Sequence, residues 1–421
     1  MAHFLKYSNP FGKTNLLPQK QYLSSTFRFL SLALTITLLC LLSPQLFSFF
    51  SSSSSSLPWL KSHMFSFSSF RNKCSIFRGN WVYNPDKRPF YTNFTCPEIY
   101  DQQNCMKFGR PDSEFLKWSW KPAGSTCDDL PSFDAAQFLE LVKGKSIAFV
   151  GDSVARNQMQ SLLCLLATVE YPTNVSYKST DTKFRRWLYP NYNFTLASFW
   201  SPYLVKAHEA DPNGTVHKKL MDLYLDQVDN AWTAHMESFD YVIISAARWF
   251  FGPEIYHENG VVVGCNYCLK NDIKNLTMAY GYKRAFRTAF KALLGLEKFK
   301  GEVILRTLSP AHFENGEWNK GGECKRTEPV LRSEMKLSWF EKELYLGQIE
   351  ELRVVESEGK KKGVRFRVMD VTEAMVARPD GHPNHFGHWP HENVTIADCV
   401  HWCLPGPIDT WNEFLFQMLK A

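Results

Sequence analysis

The sequence predicts an α/β fold, with a parallel sheet and helices on both faces, plus a cysteine-rich N-terminal elaboration and an N-terminal transmembrane helix. Apolar strand-like and helix-like segments alternate from residue 144 onward. Cysteine, proline and aromatic residues are frequent in 74–135, and residues 29–50 carry no charge. Strands that alternate with helices are typical of a parallel sheet covered on both faces.

Four short apolar segments are the predicted strands, at 145–150, 241–246, 302–307 and 364–371. Four segments with helical periodicity are the predicted helices, at 154–169, 280–294, 335–353 and 409–419. In the third helix, Trp339, Leu344 and Ile349 are expected on one apolar face. Residues 172–238 fit the alternation poorly and are expected to form an elaboration near the functional site.

The uncharged stretch 29–50 is long enough to cross a bilayer. Basic residues precede it and the first acidic residue is Asp86, which predicts a cytosolic N-terminus and a lumenal remainder. The alternative is a cleaved signal peptide, although the basic segment and the apolar stretch are both long for one. The predicted organisation is a cytosolic tail at 1–28, a signal anchor at 29–50, a serine-rich stem at 51–73 and a folded lumenal domain at 74–421.

The net charge of +6 is modest, and part of it lies in the N-terminal tail. No basic stripe occurs elsewhere, so the composition gives no support to a nucleic-acid-binding protein. The run Lys360-Lys361-Lys362 lies between Gly359 and Gly363 and is predicted to be a solvated loop.

Cysteines and glycosylation sequons support a lumenal domain. Of eleven cysteines, Cys40 lies in the anchor and ten follow it, an even number that indicates a disulfide set. Six Asn-x-Ser/Thr sequons follow the anchor and none precedes it. The sequons begin at Asn93, Asn174, Asn193, Asn213, Asn275 and Asn393.

Two motifs carry candidate chemistry. Gly151-Asp152-Ser153 follows the first predicted strand and opens the first helix, where free N–H groups favour a developing oxyanion. A serine there is equally compatible with a simple helix N-cap. Late in the chain, Asp398 precedes His401 by three residues, as an orienting carboxylate and a general base would. The alternative is a surface turn, but the flanking Cys399 and Cys403 favour a rigid loop.

Five segments resemble the plant trichome-birefringence-like proteins, whose catalytic domain is related to the GDSL/SGNH esterases. They are CSIFRGNWVYN at 74–84, FVGDSVARNQ at 149–158, LRTLSPAHFENGEWNKGGEC at 305–324, DVTEAMVARPDGHP at 370–383 and DCVHWCLPGPIDTWNEFL at 398–415. The resemblance implies an SGNH-hydrolase-like sheet and O-acetylation of cell-wall polysaccharides in the Golgi. It also implies Ser153 as nucleophile, supported by Asp398 and His401.

The resemblance extends to other residues. Gly151, Asp152, Arg156, Asn157 and Arg248 become candidates for substrate or oxyanion binding, with a helix-surface role as the alternative for Arg156 and Asn157. The chain reads Ala247-Arg248-Trp249 where many members read Gly-His-Trp or Gly-Gln-Trp. In SGNH enzymes this strand end helps to form the oxyanion hole, so the two side chains are expected to alter either this hole or the grip on the substrate.

The family also implies the disulfide pairing Cys74–Cys127, Cys96–Cys164, Cys105–Cys403 and Cys324–Cys399, which leaves Cys265–Cys268. The last pair is predicted to be a structural disulfide and not a redox site. His382, His385, His388 and His391 recur every three residues and suggest zinc. However, Pro383, Gly387 and Pro390 would break a helix that aligned them, so no metal is predicted.

The segments SAARWFF at 245–251, YHENGVVVGCNYC at 256–268 and YGYKRAFRTAF at 280–290 resemble the altered-xyloglucan branch, which implies xyloglucan as acceptor. The expected reaction passes through an acetyl-serine and uses no tightly bound cofactor. Acetyl-CoA or a membrane partner would supply the acetyl group, and association with other Golgi wall-synthesis proteins is expected. The alternatives are transfer to xylan, mannan or pectin, a lumenal acetyl-esterase, and a non-enzymatic wall-polysaccharide binding protein.

Overall fold

The computed structural model describes residues 74–421, apart from 125–126, 178–182, 212–219, 269–271 and 393. The predicted tail, anchor and stem therefore lie outside the described residues. Within the described ranges, no helix has the length and apolar character needed to cross a membrane.

The cysteine-rich segment forms a small antiparallel pair of strands, β1 (Gly79–Tyr83) and β2 (Trp118–Pro122). The connection between them is irregular apart from short 3-10 turns at Asp101–Gln103 and Glu114–Lys117. Trp120 packs edge-on against Phe414 of the closing helix, with ring centroids 6.3 Å apart. The segment is therefore packed on the larger domain, as predicted.

The remaining strands are β3 (Ser146–Gly151), β4 (Thr173–Asn174), β5 (Phe184–Tyr189), β6 (Phe194–Trp200), β7 (Val205–Glu209), β8 (Met221–Val228), β9 (Tyr241–Ser245), β10 (Glu254–Glu258), β11 (Val261–Asn266), β12 (Glu302–Arg306) and β13 (Arg365–Met369). The α-helices are α1 (Ala135–Leu141), α2 (Ser153–Leu166), α3 (Asn230–Thr233), α4 (Met278–Gly295), α5 (Trp339–Lys362), α6 (Thr372–Val376) and α7 (Asp409–Lys420). Further 3-10 turns occur at Pro190–Tyr192, Met236–Ser238, Arg248–Phe251, Pro379–Gly381 and Pro390–Glu392.

Seven strands form the main sheet, in the order β13-β12-β9-β3-β6-β5-β4. The five strands from β13 to β6 run parallel, whereas β5 and β4 are antiparallel additions at one edge. A separate sheet has the order β11-β10-β8-β7. The predicted parallel-rich α/β architecture is confirmed.

Alternate residues of the central strand β3 face two different hydrophobic cores. Ile147 and Phe149 belong to the core that includes α1, α2 and α7, whereas Ala148 and Val150 belong to the core that includes α4 and α5. All four side chains are fully buried. This two-sided burial explains why the strand is a continuous apolar run, and it confirms helices on both faces.

The expectation that residues 172–238 form an elaboration was wrong for β6, which lies inside the main sheet beside β3. β6 follows β5 with only the 3-10 turn at Pro190–Tyr192 between them, and no α-helix. It is instead paired with β5 as an antiparallel hairpin, which hides it from a search for strand–helix alternation.

The prediction of a loop at 360–362 and the predicted position of Trp339 were also wrong. Lys360, Lys361 and Lys362 are solvent-exposed but form the last turn of α5, which ends at Gly363 in a left-handed conformation (φ 77°). Cations are favourable at a helix C-terminus, which accounts for the lysine run. Trp339 is 74% exposed because it begins the helix, whereas Leu344 is buried as expected.

The turn after β3 requires glycine at 151. Gly151 has φ 152°, and a Cβ there would lie 1.6 Å from the carbonyl oxygen of Ser245. We predict that Gly151→Ala lowers the free energy of unfolding by more than about 3 kcal/mol, because backbone would have to move. Chemical denaturation measures this effect.

Gly295→Ala is the matched control. Gly295 is exposed at the end of α4, and a Cβ there meets nothing within 4 Å. This variant should change the unfolding free energy by no more than about 1 kcal/mol. Equal stability of the two variants would show that the β3–α2 turn tolerates a side chain.

Candidate active site

Ser153 is the first residue of α2, directly beyond the carboxyl end of β3. The helix is capped by Asp152, whose Oδ1 accepts the backbone N–H groups of Val154 (3.0 Å) and Ala155 (3.4 Å). The alternative that Ser153 serves as the N-cap is therefore wrong. Its hydroxyl is left to interact with other side chains.

The structure brings Ser153, His401 and Asp398 together in one chain of hydrogen bonds. His401 Nε2 lies 2.7 Å from Ser153 Oγ, and His401 Nδ1 lies 2.8 Å from Asp398 Oδ2. A carboxylate can only accept, so Nδ1 carries the proton and the Nε2 lone pair faces the serine hydroxyl. This is the arrangement that lets a histidine remove a serine proton.

The environment sets the charges of this chain. Burial raises the pKa of Asp398, but His401 and two backbone N–H groups outweigh it and lower that pKa to about 2. Burial lowers the pKa of His401, but the Asp398 carboxylate outweighs it and raises that pKa above its ordinary value. The carboxylate is consequently ionised at neutral pH, and the histidine is more basic than usual.

The loop that carries Asp398 and His401 contains neither helix nor strand and is fixed by cross-links. Disulfides join Cys324 to Cys399 and Cys105 to Cys403, on either side of His401. The structure also contains Cys74–Cys127, Cys96–Cys164 and Cys265–Cys268. These five pairs are the ones that the family resemblance implies.

Asn157 ties the same loop to the helix of Ser153. Its side-chain amide accepts the N–H of Trp402 at 2.8 Å and donates to the Trp402 carbonyl at 3.2 Å. Asn157 is buried, so it contacts the protein and not solvent. The helix-surface alternative does not apply to it, and its contacts hold the residue next to His401.

The strand end at Ala247 and Arg248 is bonded to Asp152. Asp152 Oδ2 accepts the backbone N–H groups of Ala247 (2.9 Å) and Arg248 (3.3 Å). The Arg248 guanidinium donates to the Ser309 carbonyl and to Glu341 Oε1 (3.0 Å). The two amides at the strand end are thus occupied, and the Arg248 side chain forms an ion pair with Glu341.

Arg156 lies one helical turn after Ser153. Its guanidinium stacks on Trp200 at 5.0 Å and on Tyr100 at 5.3 Å from the ring centroids. Among the described residues, no carboxylate lies within 4 Å of this guanidinium, and no hydrogen-bond acceptor is paired with it. Of the residues proposed around Ser153, Arg156 is the one whose donors are available to a ligand.

Two histidines behind the loop, the buried His382 and the partly buried His312, were not predicted as site residues. His382 Nδ1 donates to the backbone carbonyl of His401 at 2.6 Å, and its ring stacks on Trp402 at 4.1 Å. His382 Nε2 in turn lies 2.7 Å from His312 Nδ1. Burial lowers the pKa of both, that of His312 to about 4, so both rings are neutral near pH 7.

The four histidines that recur every three residues do not meet at one site. His382 contacts the triad loop, His385 lies 3.3 Å from Glu323, and His391 is exposed. In the part of the chain that the structure describes, no group of three or more His, Cys, Asp or Glu residues is arranged to hold a metal ion. In the sequence, His382 was marked by this regular spacing and by its place in the segment at 370–383, and neither indicated its contact with the His401 carbonyl.

Comparisons with known proteins agree with this geometry. Residues 130–418 match the model of a GDSL/SGNH-like acyl-esterase family found in Pmr5 and Cas1p, and residues 72–128 match the PMR5 N-terminal domain. The chain is 54% identical to the Arabidopsis thaliana protein trichome birefringence-like 19, over 83% of this chain and 81% of that protein.

Two further relatives are named as xyloglucan O-acetyltransferases. The Populus trichocarpa xyloglucan O-acetyltransferase 4 is 46% identical over 83% of this chain and 81% of its own length. The Arabidopsis thaliana xyloglucan O-acetyltransferase 2 is 42% identical over 83% of each chain. The chain therefore belongs to the trichome-birefringence-like group of the GDSL/SGNH-like acyl-esterase family found in Pmr5 and Cas1p, and it is an acyltransferase.

Proposed function

We propose that this enzyme transfers an acetyl group through an acetyl-Ser153 intermediate to a hydroxyl group of xyloglucan. The observation that carries the proposal is the hydrogen-bonded chain of Ser153, His401 and Asp398. Relatives named as xyloglucan O-acetyltransferases, together with the branch-specific segments, support the choice of acceptor over xylan, mannan or pectin.

In the first half-reaction, His401 Nε2 takes the Ser153 proton as Oγ attacks the acetyl carbonyl of the donor. The protonated histidine then gives that proton to the leaving group, and an acetyl ester forms on Ser153. Asp398 stabilises the imidazolium. No metal or tightly bound cofactor takes part in this scheme, and acetyl-CoA or a donor-supplying membrane partner provides the acetyl group.

The start of α2 is suited to the negative charge that develops on the carbonyl oxygen. Of the first four N–H groups of the helix, those of Val154 and Ala155 are bonded to the Asp152 side chain and that of Arg156 to the Asp152 carbonyl. The N–H of Ser153 is the remaining one, and it is assigned to the oxyanion. The Arg156 guanidinium adds positive charge nearby.

In the second half-reaction, His401 removes a proton from a sugar hydroxyl, which attacks the acetyl-serine. Water is the competing nucleophile, and its access decides between transfer and hydrolysis. The His401 and Asp398 side chains are 21% and 26% exposed, so water can approach them. This exposure makes a lumenal acetyl-esterase the second candidate function.

The direct test incubates the full chain with acetyl-CoA and, separately, with xyloglucan, xylan, mannan and pectin. We expect acetyl transfer to xyloglucan above the other three polymers, with an acetylated Ser153 peptide visible by mass spectrometry. Ser153→Ala should reduce transfer by several orders of magnitude, because it removes the nucleophile. Equal transfer to all four polymers would reject the acceptor, and near wild-type activity of Ser153→Ala would reject the intermediate.

The pH dependence follows from the raised pKa of His401. The histidine must be neutral to act as a base, so kcat/KM should fall as the pH drops through that pKa, above the ordinary value of about 6.5. Asp398→Asn removes the charge that raises the pKa, so the acid limb should move to lower pH while kcat falls by orders of magnitude.

Glu140→Gln is the control for this profile. Glu140 is an exposed carboxylate on α1, near the start of β3 and away from its carboxyl end. Its loss should leave the pH profile in place. An acid limb that does not move in Asp398→Asn would mean that the profile reports a group other than His401.

The proposed location is the Golgi membrane, with residues 29–50 as an uncleaved type II anchor, the catalytic domain in the lumen and wall-synthesis proteins as neighbours. The sequon residues Asn174, Asn193 and Asn275 are exposed and Asn93 is half-exposed, whereas Asn213 and Asn393 lie outside the described residues. We expect an N-terminal tag to remain on a glycosylated product after expression in plant cells. A glycosylated product that has lost the tag would indicate a cleaved signal peptide.

A further inference from the structure

A row of aromatic rings lies beyond the carboxyl end of β3, beside Ser153. The two strands that flank β3 each contribute a tryptophan: Trp200 ends β6, opposite Gly151, and Trp249 follows β9. Their indoles meet edge-to-face with centroids 5.5 Å apart. Ligands of open α/β sheets bind at this end of the strands.

Arg156 and Tyr100 extend the row from Trp200. The guanidinium of Arg156 lies 5.0 Å from the ring centroid of Trp200 and 5.3 Å from that of Tyr100. Since Arg156 belongs to the first turns of the helix that Ser153 opens, the row and the nucleophile share one element. Consecutive contacts thus connect Tyr100, Arg156, Trp200 and Trp249, and we call these four residues the aromatic row.

The indole N–H groups of the tryptophans differ in what they contact. Those of Trp120 and Trp232 donate to a backbone carbonyl, whereas those of the buried Trp187 and Trp411 have no acceptor among the described residues. In the described part of the chain, no protein acceptor is paired with the indole N–H of Trp200 or Trp249. Trp249 is also 43% exposed, a large fraction for a ring that only closes a core.

We propose that the aromatic row binds neighbouring sugar units of a neutral β-linked glucan, and so holds the acceptor chain beside Ser153. The inference rests on the proposed function and names the residues that select its substrate. A glucopyranose in a β-linked chain has apolar C–H faces and a rim of hydroxyl groups. The indole faces can stack on the apolar C–H faces of the sugar. The free N–H groups of the indoles and of Arg156 can donate hydrogen bonds to its hydroxyl groups.

The extended shape of the row also fits a polymeric ligand. Aromatic faces together with a few placed polar groups are the usual lining of binding sites for organic ligands. Because the row crosses from β6 to β9, past the end of β3, a chain lying along it passes the nucleophile instead of ending there. This path would bring hydroxyl groups of internal sugar units to Ser153.

The test measures binding of an unacetylated xyloglucan oligosaccharide to the full chain by microscale thermophoresis. Trp249→Ala and Trp200→Ala should each raise Kd by about tenfold, as loss of one stacking ring does at other sites for flat ligands. Trp249→Phe should raise it less, because a ring remains. In steady-state assays the Trp249→Ala change should appear mainly in KM for the oligosaccharide.

Tyr171→Ala is the matched control. Tyr171 is 57% exposed and follows the far end of α2, about 20 Å along the helix from Ser153. It should leave Kd and turnover unchanged. Thermal unfolding of each variant separates loss of binding from loss of fold, and Trp249→Phe carries the test if Trp249→Ala is unstable.

The outcomes separate the two proposals. If Trp249→Phe and Trp249→Ala both bind the oligosaccharide with the wild-type Kd, the aromatic row is not the acceptor site. If the variants lose only acetyl-CoA binding, the row binds the donor and the proposal is also overturned. If the wild-type chain binds the oligosaccharide through these rings but transfers no acetyl group to it, the row stands and the proposed transferase function fails.

Discussion

The carboxylate of Asp152 joins the two strand ends between which the candidate nucleophile lies. One oxygen accepts two N–H groups at the start of α2, and the other accepts the N–H groups of Ala247 and Arg248 after β9. Four donors on one buried carboxylate leave it little freedom, and charge-assisted hydrogen bonds are stronger than neutral ones. The direction in which Ser153 points is thus fixed by the residue before it.

The other half of the site is held by different means. The segment with Asp398 and His401 is neither helix nor strand. Its only ladder-like feature among the described residues is an isolated bridge, in which Asp398 and Asn384 exchange backbone hydrogen bonds. Two disulfides, the Asn157 amide and the buried His382 replace regular structure there. Each contact joins the loop to a residue far away in sequence, so its geometry depends on the finished fold and not on local preference.

This division explains what the sequence could predict. Ser153 was recognisable because a strand, a glycine turn and a helix are consecutive, and Asp398 with His401 because the carboxylate and the ring are three residues apart. Other contacts join positions that are roughly 50 to 95 residues apart. They are the hydrogen bond from the Ala247 N–H to Asp152, the His312–His382 pair and the packing of Trp200 against Trp249. No local pattern encodes such contacts. The central place of β6 was missed for a related reason, since its hairpin with β5 interrupts the strand–helix alternation.

The departure at Ala247-Arg248 has a physical explanation that the sequence did not supply. The backbone φ of Ala247 is −167°, outside the left-handed region that favours glycine, so a Cβ is accommodated there and the amide still reaches Asp152. The neighbouring guanidinium is turned toward Glu341, which also accepts the N–H of Ala311 and is held by Ser338.

Both members of that ion pair are largely buried, so removal of either would leave an uncompensated charge. The pair connects the turn that carries Trp249 to the first turn of α5, where Phe340 packs against Phe251. It contacts none of Ser153, His401 and Asp398. The N–H groups that donate to Asp152 belong to the backbone, so they remain when the side chain at 248 varies. A substitution at 248 can therefore move Trp249 and the turn that carries it, while the hydrogen-bonded chain of Ser153, His401 and Asp398 stays intact.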